Sequence, residues 1–445
     1  MRKIVVVAGL FAAAACAARS PYDRAFVSRA LEERTGHALA AAPKPGEAAL
    51  PPGVVLEDGL SGDEAVAVAL WNNPRFRADM ADLAAARAGL IDAGLLPNPL
   101  LSYLHLFGVK GQEGYILWPL DALVQRPKKM AAARLDVERV ASRLVQAGLT
   151  LGRDVLAACA DLELAQASAA LAAEDARLRG EMAGIAAARL RAGDISGLEE
   201  SAARVAGLQA REAALYAARD AETARARLSA LLGWGATSPP YELAPGPPPE
   251  PAAAALDELV ETAYAARPDL RAARAEIDAA AARLGWEKAR VLKLTATLEG
   301  KEKGDNGVFF GPSGKIELPV FNRNEGGRAR ARAEMEKAAQ SYVAVREQIR
   351  LEVAEAFARL SASRQALALL EAQVVPAAAE TAARAEKAYA AGEETYLFAL
   401  EARRQLLDAR RREAQAAADV RRADAQLKCG LGSYKQSPDE ASPEK

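Results

Sequence analysis

The chain has 445 residues, of which 51% are hydrophobic, 5% aromatic and 26% charged. With 58 Lys and Arg against 59 Asp and Glu, it lacks the basic excess of a nucleic-acid-binding protein. Two His and three Cys argue against a multi-metal site or a disulfide scaffold. Much of the apolar content is alanine, which together with Leu, Arg and Glu is typical of long helices.

The amino terminus has the pattern of an export signal. A basic start is followed by an apolar run over residues 4–15, which is too short to cross a bilayer as a helix. We expect residues 1–15 to be a signal peptide, and Cys16, which follows small residues as in a lipobox, to be lipidated. The alternative is ordinary cleavage at an Ala-x-Ala site, with Cys16 unmodified. Residues 16–59 then form a tether. The rest of the sequence contains no run of 18 uninterrupted apolar residues, so no transmembrane helix is predicted there.

An internal repeat divides the mature chain into two halves. Residues 63–90 and 257–284 match at 12 of 28 positions without gaps, including an Asp-Glu pair and a proline. Ala-Gly-Asp at 192–194 recurs as Ala-Gly-Glu at 391–393. A duplication predicts two similar structural repeats. The predicted segments are a first repeat (60–234), a Pro-rich linker (235–254), a second repeat (255–432) and a flexible tail (433–445).

Each half shows the same order of predicted elements. A helix of about 30 residues comes first, then two short strands, a long helix, a Gly-containing turn and a further helix. At 1.5 Å per residue the long helices reach about 100 Å, although an ordinary helical hairpin remains the alternative for these stretches. The predicted first helices are 61–93 and 255–288, the long helices 122–190 and 325–390, and the last helices 197–232 and 396–429.

The four predicted strands are 100–109, 114–120, 291–301 and 308–320. The second pair alternates apolar with polar residues, which fits a membrane barrel strand or a soluble amphipathic hairpin equally well. The first pair is apolar on both faces. Four strands cannot close a barrel, and open sheet edges cannot lie in lipid. If these strands span a membrane, several chains have to share one barrel, and three chains would give twelve strands.

Several motifs carry a family resemblance over residues 60–430. They are DEAVAVALWNNPRF (63–76), GLLPNPLLSY (94–103), RAGDIS (191–196), LPVFNRNEGGRARAR (318–332) and AAGEETYL (390–397). The chain resembles the TolC-like outer-membrane efflux proteins, and 318–332 is most similar to their heavy-metal efflux branch. The resemblance implies a mainly α-helical protein with a membrane β-barrel. It further implies a homotrimer with twelve strands, a helical tunnel through the periplasm, a periplasmic adaptor and an inner-membrane pump as partners.

The resemblance also assigns the turns at the helix tips. In the family these turns meet the adaptor and close the tunnel, and in this sequence they contain Gly193, Asp194, Ser196, Gly392, Glu393 and Thr395. An acidic ring often narrows the tunnel there, because carboxylates repeated around a bore attract cations. The candidates for the ring are Asp194, Glu386, Glu393 and Glu394. The alternative is that these acids are solvated side chains near helix ends.

The functional prediction is a passive outer-membrane duct for small molecules or metal ions, anchored by lipid and extending into the periplasm. A nucleotide loop, a zinc-protease motif and a local cluster of metal-ligating residues are all absent from the sequence. We therefore expect no enzyme activity, cofactor, resident metal or nucleic-acid partner. The competing prediction is a lipid-anchored periplasmic coiled-coil scaffold or adaptor.

Overall fold

The computed structural model describes residues 20–39, 49–105, 111–235, 238–244, 246, 255–302 and 307–435. The predicted signal peptide and Cys16 lie outside the described residues, as does most of the Pro-rich linker. Cys159 and Cys429 are free and buried. Burial raises the pKa of the Cys159 thiol to about 12.

The helix that opens each half is broken in two. After a short helix α1 (Arg24–Thr35), the first half has α2 (Gly62–Asn72) and α3 (Pro74–Gly94). The second half has α6 (Leu256–Ala266) and α7 (Pro268–Ala289).

The prediction of one unbroken helix of about 30 residues was therefore wrong in both halves. In each, a proline begins the second piece, and the residue before a proline is driven out of the helical region. Asn73 has ψ 117° and Arg267 has ψ 126°. The Asn73 side chain then caps α3, because its Oδ1 accepts hydrogen bonds from the backbone N–H groups of Arg75 and Phe76, both at 3.0 Å.

The long helices follow the strands. α4 (Asp121–Ala192) has 72 residues and at 1.5 Å per residue is about 108 Å long. It is followed by α5 (Gly197–Leu231). Among the described residues, α4 is the one helix long and apolar enough to cross a membrane by length and composition, which for a single helix is weak evidence of a span.

The second long stretch is interrupted. It consists of α8 (Glu325–Leu369), a π-helical turn at Leu370–Val374, and α9 (Val375–Ala391). Pro376 is the second residue after the π turn. Proline lacks the N–H that would continue the i to i−4 ladder, and its ring crowds the preceding turn, so the wider turn accommodates it. The last helix is α10 (Tyr396–Leu431).

The four strands form one antiparallel sheet in the order β1-β2-β3-β4. Their bounds are Leu100–His105, Gln112–Pro119, Lys293–Glu302 and Val308–Glu317. β2 begins two residues before the predicted start, and β3 begins two residues after it. β4 ends at Glu317, before the predicted end at 320, because Pro319 has no N–H to donate to a ladder.

The chain divides into two compact units. The first contains the sheet and consists of Ala78–Gln146 and Pro268–Gln348 with the chain up to Arg29. The second contains the tip turns and consists of Ala30–Arg77, Ala147–Arg267 and the chain from Ile349 onward. Alanine is frequent among the buried residues of both units, which lets neighbouring helices approach closely.

Candidate functional site

The first tip turn joins α4 to α5 through a tightly defined backbone. Gly193 has φ 82°, in the left-handed region that glycine adopts without strain. Its N–H donates to the Leu190 carbonyl at 3.0 Å, and the Asp194 N–H donates to the Arg189 carbonyl at 2.9 Å. This pair of bonds is a Schellman motif, which satisfies the last carbonyls of α4.

The second tip turn repeats this geometry between α9 and α10. Gly392 has φ 83°, its N–H donates to the Tyr389 carbonyl at 3.0 Å, and the Glu393 N–H donates to the Ala388 carbonyl at 2.9 Å. The two turns therefore share one backbone design, with a glycine, an acid and one further residue before the next helix cap.

Hydroxyl residues cap the helix that leaves each turn. Ser196 Oγ accepts from the Glu199 N–H at 3.2 Å, and Glu199 Oε2 accepts from the Ser196 N–H at 3.2 Å, which completes a capping box. Thr395 Oγ1 accepts from the Phe398 N–H at 3.4 Å. The second helix has Phe398 three residues after its cap, where the first has Glu199. It therefore lacks the carboxylate that completes a capping box. Its geometry is therefore less firmly held than that of the first.

A small apolar cluster supports both turns. Tyr389 and Tyr396 are buried within it and meet edge to face, with ring centroids 5.8 Å apart. The Arg189 guanidinium lies 5.2 Å from the centre of the Tyr389 ring and donates to the Tyr389 carbonyl at 3.4 Å. The first turn is thus tied to the second by a cation–π contact and a hydrogen bond. Burial raises the pKa of Tyr396, and its effect exceeds that of the nearby Arg179, which lowers it.

The predicted acidic residues do not share one environment. Asp194, Glu393 and Glu394 are exposed at the turns. Glu386 instead lies on α9, with Oε1 3.8 Å from Nη1 of Arg403. Arg403 is only 7% exposed, and its Nη2 lies 3.3 Å from Glu174 Oε1 on α4. The structure therefore brings the three tip acids to solvent and places Glu386 in an ion-pair network.

Two leucines at the tips were missed in the sequence analysis. Leu198 is 80% exposed and Leu397 is 70% exposed, and each is the second residue after its helix cap. Aligning Ser196-Gly197-Leu198 with Thr395-Tyr396-Leu397 would have found them, because both match the repeat offset of 199 residues. Each turn therefore has one large exposed apolar side chain beside it, at equivalent positions of the two repeats.

The sheet has one face that carries most of its charged side chains and one face that is mainly apolar, and the charged face also contains Phe309, the cross-strand partner of Lys301. Cross-strand pairing places Glu113 opposite Lys301 and Tyr115 opposite Glu299, and these side chains share a face with the ion pair of Lys293 and Glu317 at 2.8 Å. Residues directly opposite in a ladder lie on the same face. The second strand, which by sequence was apolar on both sides, therefore has a charged and hydroxyl-bearing side.

The other face is apolar and exposed. It carries Leu101, Ile116, Leu298, Phe310 and Ile316, all of them exposed. Gly114 and Gly300 are cross-strand partners in its middle, and the Phe310 ring lies over Gly300, where an added Cβ would stand 2.8 Å from it. A sheet with one apolar face and one polar face fits the lipid and water sides of a membrane barrel.

Comparison with known proteins agrees with this geometry. A family model described as "Outer membrane efflux protein" matches residues 259–433. The cobalt-zinc-cadmium resistance protein CzcC of Cupriavidus metallidurans is 29% identical over 362 residues, covering 79% of this chain and 85% of that protein.

Solved structures share the fold. The Campylobacter jejuni CmeC outer membrane channel matches with a TM-score of 0.73 at 15% identity, over 83% of this chain and 85% of that chain. The outer membrane protein VceC from Vibrio cholerae matches with a TM-score of 0.70 at 20% identity, over 84% of this chain and 96% of that chain. The architecture is therefore that of outer-membrane channel subunits.

Over residues 259–433 the chain is similar to the outer membrane efflux protein family, and it is also similar to CzcC. The resemblance to TolC-like proteins that its motifs indicate is thereby confirmed, and its function is efflux through the outer membrane. The family is one of efflux channel proteins.

Proposed function

We propose that three copies of this chain form one passive outer-membrane channel. The observation that carries the proposal is the sheet, which has an exposed apolar face and, among the described residues, unpaired outer edges on β1 and β4. Unpaired backbone groups cannot remain in a bilayer. Pairing β4 of one copy with β1 of the next around a threefold axis gives twelve strands and leaves no edge.

The polar face of the sheet then lines the water-filled lumen. Lys293, Glu113 and Lys301 take part in cross-strand ion pairs on this face, and such charges are stable beside water but costly in hydrocarbon.

The tips form the proposed adaptor-docking surface. Gly193, Asp194 and Ser196 in the first turn and Gly392, Glu393 and Thr395 in the second are exposed, and each turn is closed by a pair of Schellman bonds. Leu198 and Leu397 add an apolar contact beside each turn. A periplasmic adaptor that engages both turns of each copy would couple the duct to an inner-membrane pump, which supplies the energy for transport.

Divalent metal cations are the proposed cargo. The support is the 29% identity to a protein named for cobalt, zinc and cadmium resistance, together with the exposed acids Asp194, Glu393 and Glu394. Repeated three times around a narrow bore, these carboxylates would raise the local concentration of cations. Glu386 contributes less to this field because Arg403 partly neutralises it.

A lipid on Cys16 is the proposed second attachment to the outer membrane. Replacing Cys16 by Ala should leave the channel in the membrane, because one lipid chain is weak beside a spanning barrel. Recovery of the Cys16→Ala protein in the soluble periplasmic fraction would show that the strands do not span.

Single-channel recording tests the proposal as a whole. Purified full-length protein in planar bilayers should give stepwise conductance that prefers cations, and Asp194→Asn with Glu393→Gln should reduce that preference. The matched control is Glu212→Gln with Glu222→Gln, which removes two exposed acids from α5 and should leave selectivity unchanged. Trimers that never conduct would refute the channel, and equal effects of both double variants would refute the acidic constriction.

A further inference from the structure

An exposed apolar turn follows the last strand of the sheet. Leu318, Val320 and Phe321 are all exposed, and Phe321 is 99% exposed. These residues lie within four consecutive positions between β4 and α8, so their exposure does not follow from strand alternation. A side chain of this size left fully in water is a marker of a surface that meets another apolar phase.

The turn is held in place by hydrogen bonds to α7. Asn324 has φ 57°, and its Nδ2 donates to the backbone carbonyl of Glu287 at 2.9 Å and to Glu287 Oε2 at 2.6 Å. The backbone N–H of Arg323 donates to Glu325 Oε2 at 3.0 Å. At Gly327 an added Cβ would stand 2.4 Å from Asn324 Oδ1. The chain is therefore built to present Phe321 outward.

The start of the other long helix is exposed and apolar in the same way. Leu123 and Val124 are exposed in the first turn of α4, which also directly follows a strand. Arg126 Nε donates to the Gly94 carbonyl at 2.7 Å, and this bond ties the beginning of α4 to the end of α3. Both strand-to-helix junctions thus carry apolar side chains on a fixed backbone.

Basic residues are frequent in the segments at the two strand-to-helix junctions. Residues 92–95, 121–130, 287–293 and 317–332 contain ten Lys and Arg but five Asp and Glu, in a chain whose formal net charge is −1. Three of the five acidic side chains already interact with a basic side chain or with backbone N–H groups. Glu287 lies 3.1 Å from Arg290 and Glu317 lies 2.8 Å from Lys293, while Glu325 accepts backbone hydrogen bonds that lower its pKa.

Several of the cations are exposed, and their charged groups have no partner among the described residues. They are Lys128, Lys129, Lys288, Arg330 and Arg332.

We propose that this junction surface, made of Leu123, Val124, Leu318, Val320 and Phe321 with the surrounding cations, binds the anionic phospholipid headgroups of the membrane leaflet next to the helices. The inference rests on the proposed barrel, which sets the strands in the bilayer and so places the strand-to-helix junctions at its surface. Apolar side chains enter the acyl region there, and Lys and Arg contact phosphates. The positive charge of the junction surface favours anionic lipid over a second copy of this chain, because the same surface on two copies would bring like charges together.

Lipid-specific quenching tests where the side chain at position 321 lies. In a background whose four native tryptophans are replaced by phenylalanine, full-length protein carrying Phe321→Trp or, as the control, Tyr216→Trp is reconstituted in vesicles. The vesicles contain phosphatidylcholine with bromine-labelled phosphatidylglycerol, or phosphatidylglycerol with bromine-labelled phosphatidylcholine. We expect quenching by both labelled lipids, and about five-fold or more preference for phosphatidylglycerol. Tyr216→Trp, at an exposed position on α5, is the control and should be quenched by aqueous acrylamide but not by lipid.

Charge removal tests the headgroup contact. Lys128→Gln, Lys129→Gln and Arg330→Gln together should bring the preference for phosphatidylglycerol down towards one. The matched control removes three exposed cations of the second unit, Arg211→Gln, Arg227→Gln and Lys387→Gln, and should leave it unchanged.

Conductance of the same samples separates the two proposals. If the Phe321→Trp channels conduct while neither lipid quenches the introduced indole, protein covers this position. If they conduct and both lipids quench equally, the surface has no headgroup preference. Either result overturns the lipid proposal and leaves the channel intact. Protein that neither inserts nor conducts overturns both.

Discussion

Substituting valine at the two tip glycines tests the turn geometry most directly. In Gly193→Val the new side chain would have open space, because no atom lies within 4 Å of the added Cβ. Its cost is therefore backbone strain alone, about 1–2 kcal/mol for a left-handed residue with a Cβ. In Gly392→Val the Cβ would stand 3.0 Å from Arg189 Nη2, so the guanidinium must also shift, which weakens its contact with the Tyr389 ring. Weakening that cation–π contact adds up to about 0.5–1 kcal/mol.

Amide hydrogen exchange on the full-length protein measures these costs locally. The N–H groups of Asp194 and Glu393 close the two Schellman motifs, and a strain of about 1–2 kcal/mol should speed their exchange roughly 5–30-fold. The effect should be larger at Glu393 in Gly392→Val than at Asp194 in Gly193→Val.

Gly197→Val is the matched control for this experiment. Gly197 begins α5 four residues from Gly193, its φ is outside the left-handed region, and no atom lies within 4 Å of an added Cβ. Exchange at Asp194 should therefore stay at the parent rate. If Gly193→Val and Gly197→Val accelerate exchange at Asp194 equally, crowding or general loosening explains the effect, and left-handed strain does not. If Gly193→Val leaves the exchange rate at Asp194 unchanged, the reasoning is refuted altogether.

Three further predictions concern Tyr396, Arg403 and Gly300. The hydroxyl of Tyr396 is buried without a hydrogen-bond partner among the described residues, so Tyr396→Phe should raise the free energy of unfolding by about 1 kcal/mol. Because burial raises the pKa of this phenol, the parent should lose stability as pH rises above about 10, and the variant should lose less. Arg403→Met removes two ion pairs, and should lower the free energy of unfolding by only about 1–3 kcal/mol because the two carboxylates left behind can regain water. Thermal melts measure this loss, and an unchanged melting temperature would contradict the prediction. Gly300→Val should displace the Phe310 ring and cost about 1–3 kcal/mol, with loss of heat-stable oligomers on gels, whereas Gly311→Val, which has open space, should not.

The helical organisation was largely predictable from local sequence. Glycine followed by an acid and a hydroxyl residue predicts a helix end, a turn and a new cap, because left-handed backbone and N-terminal capping each require particular residue types. The structure has that arrangement at Gly193 and again at Gly392. Prolines at 74 and 268 are also a local signal for the helix breaks. The prediction of an unbroken helix in each half was wrong because it followed the spacing of the apolar residues and disregarded these prolines.

The polarity of the sheet was decided by tertiary structure. β2 has little alternation of its own, and its two faces are distinguished only when the ladder sets Glu113 opposite Lys301 and Tyr115 opposite Glu299. Those partners are almost 190 residues apart in the chain, so no local pattern could specify the pairing.

The interior of the tips likewise depends on distant residues. The sequence by itself determined that the tips carry acids, since these are consecutive with the turn glycines. Only the packed helices bring Arg403 to Glu174 and to Glu386, and Arg189 to the ring of Tyr389. Local chemistry therefore settles where helices begin, end and turn, because caps and glycines act over a few residues. Which charges neutralise one another is settled by packing, because an ion pair depends on distance in space and not on distance along the chain.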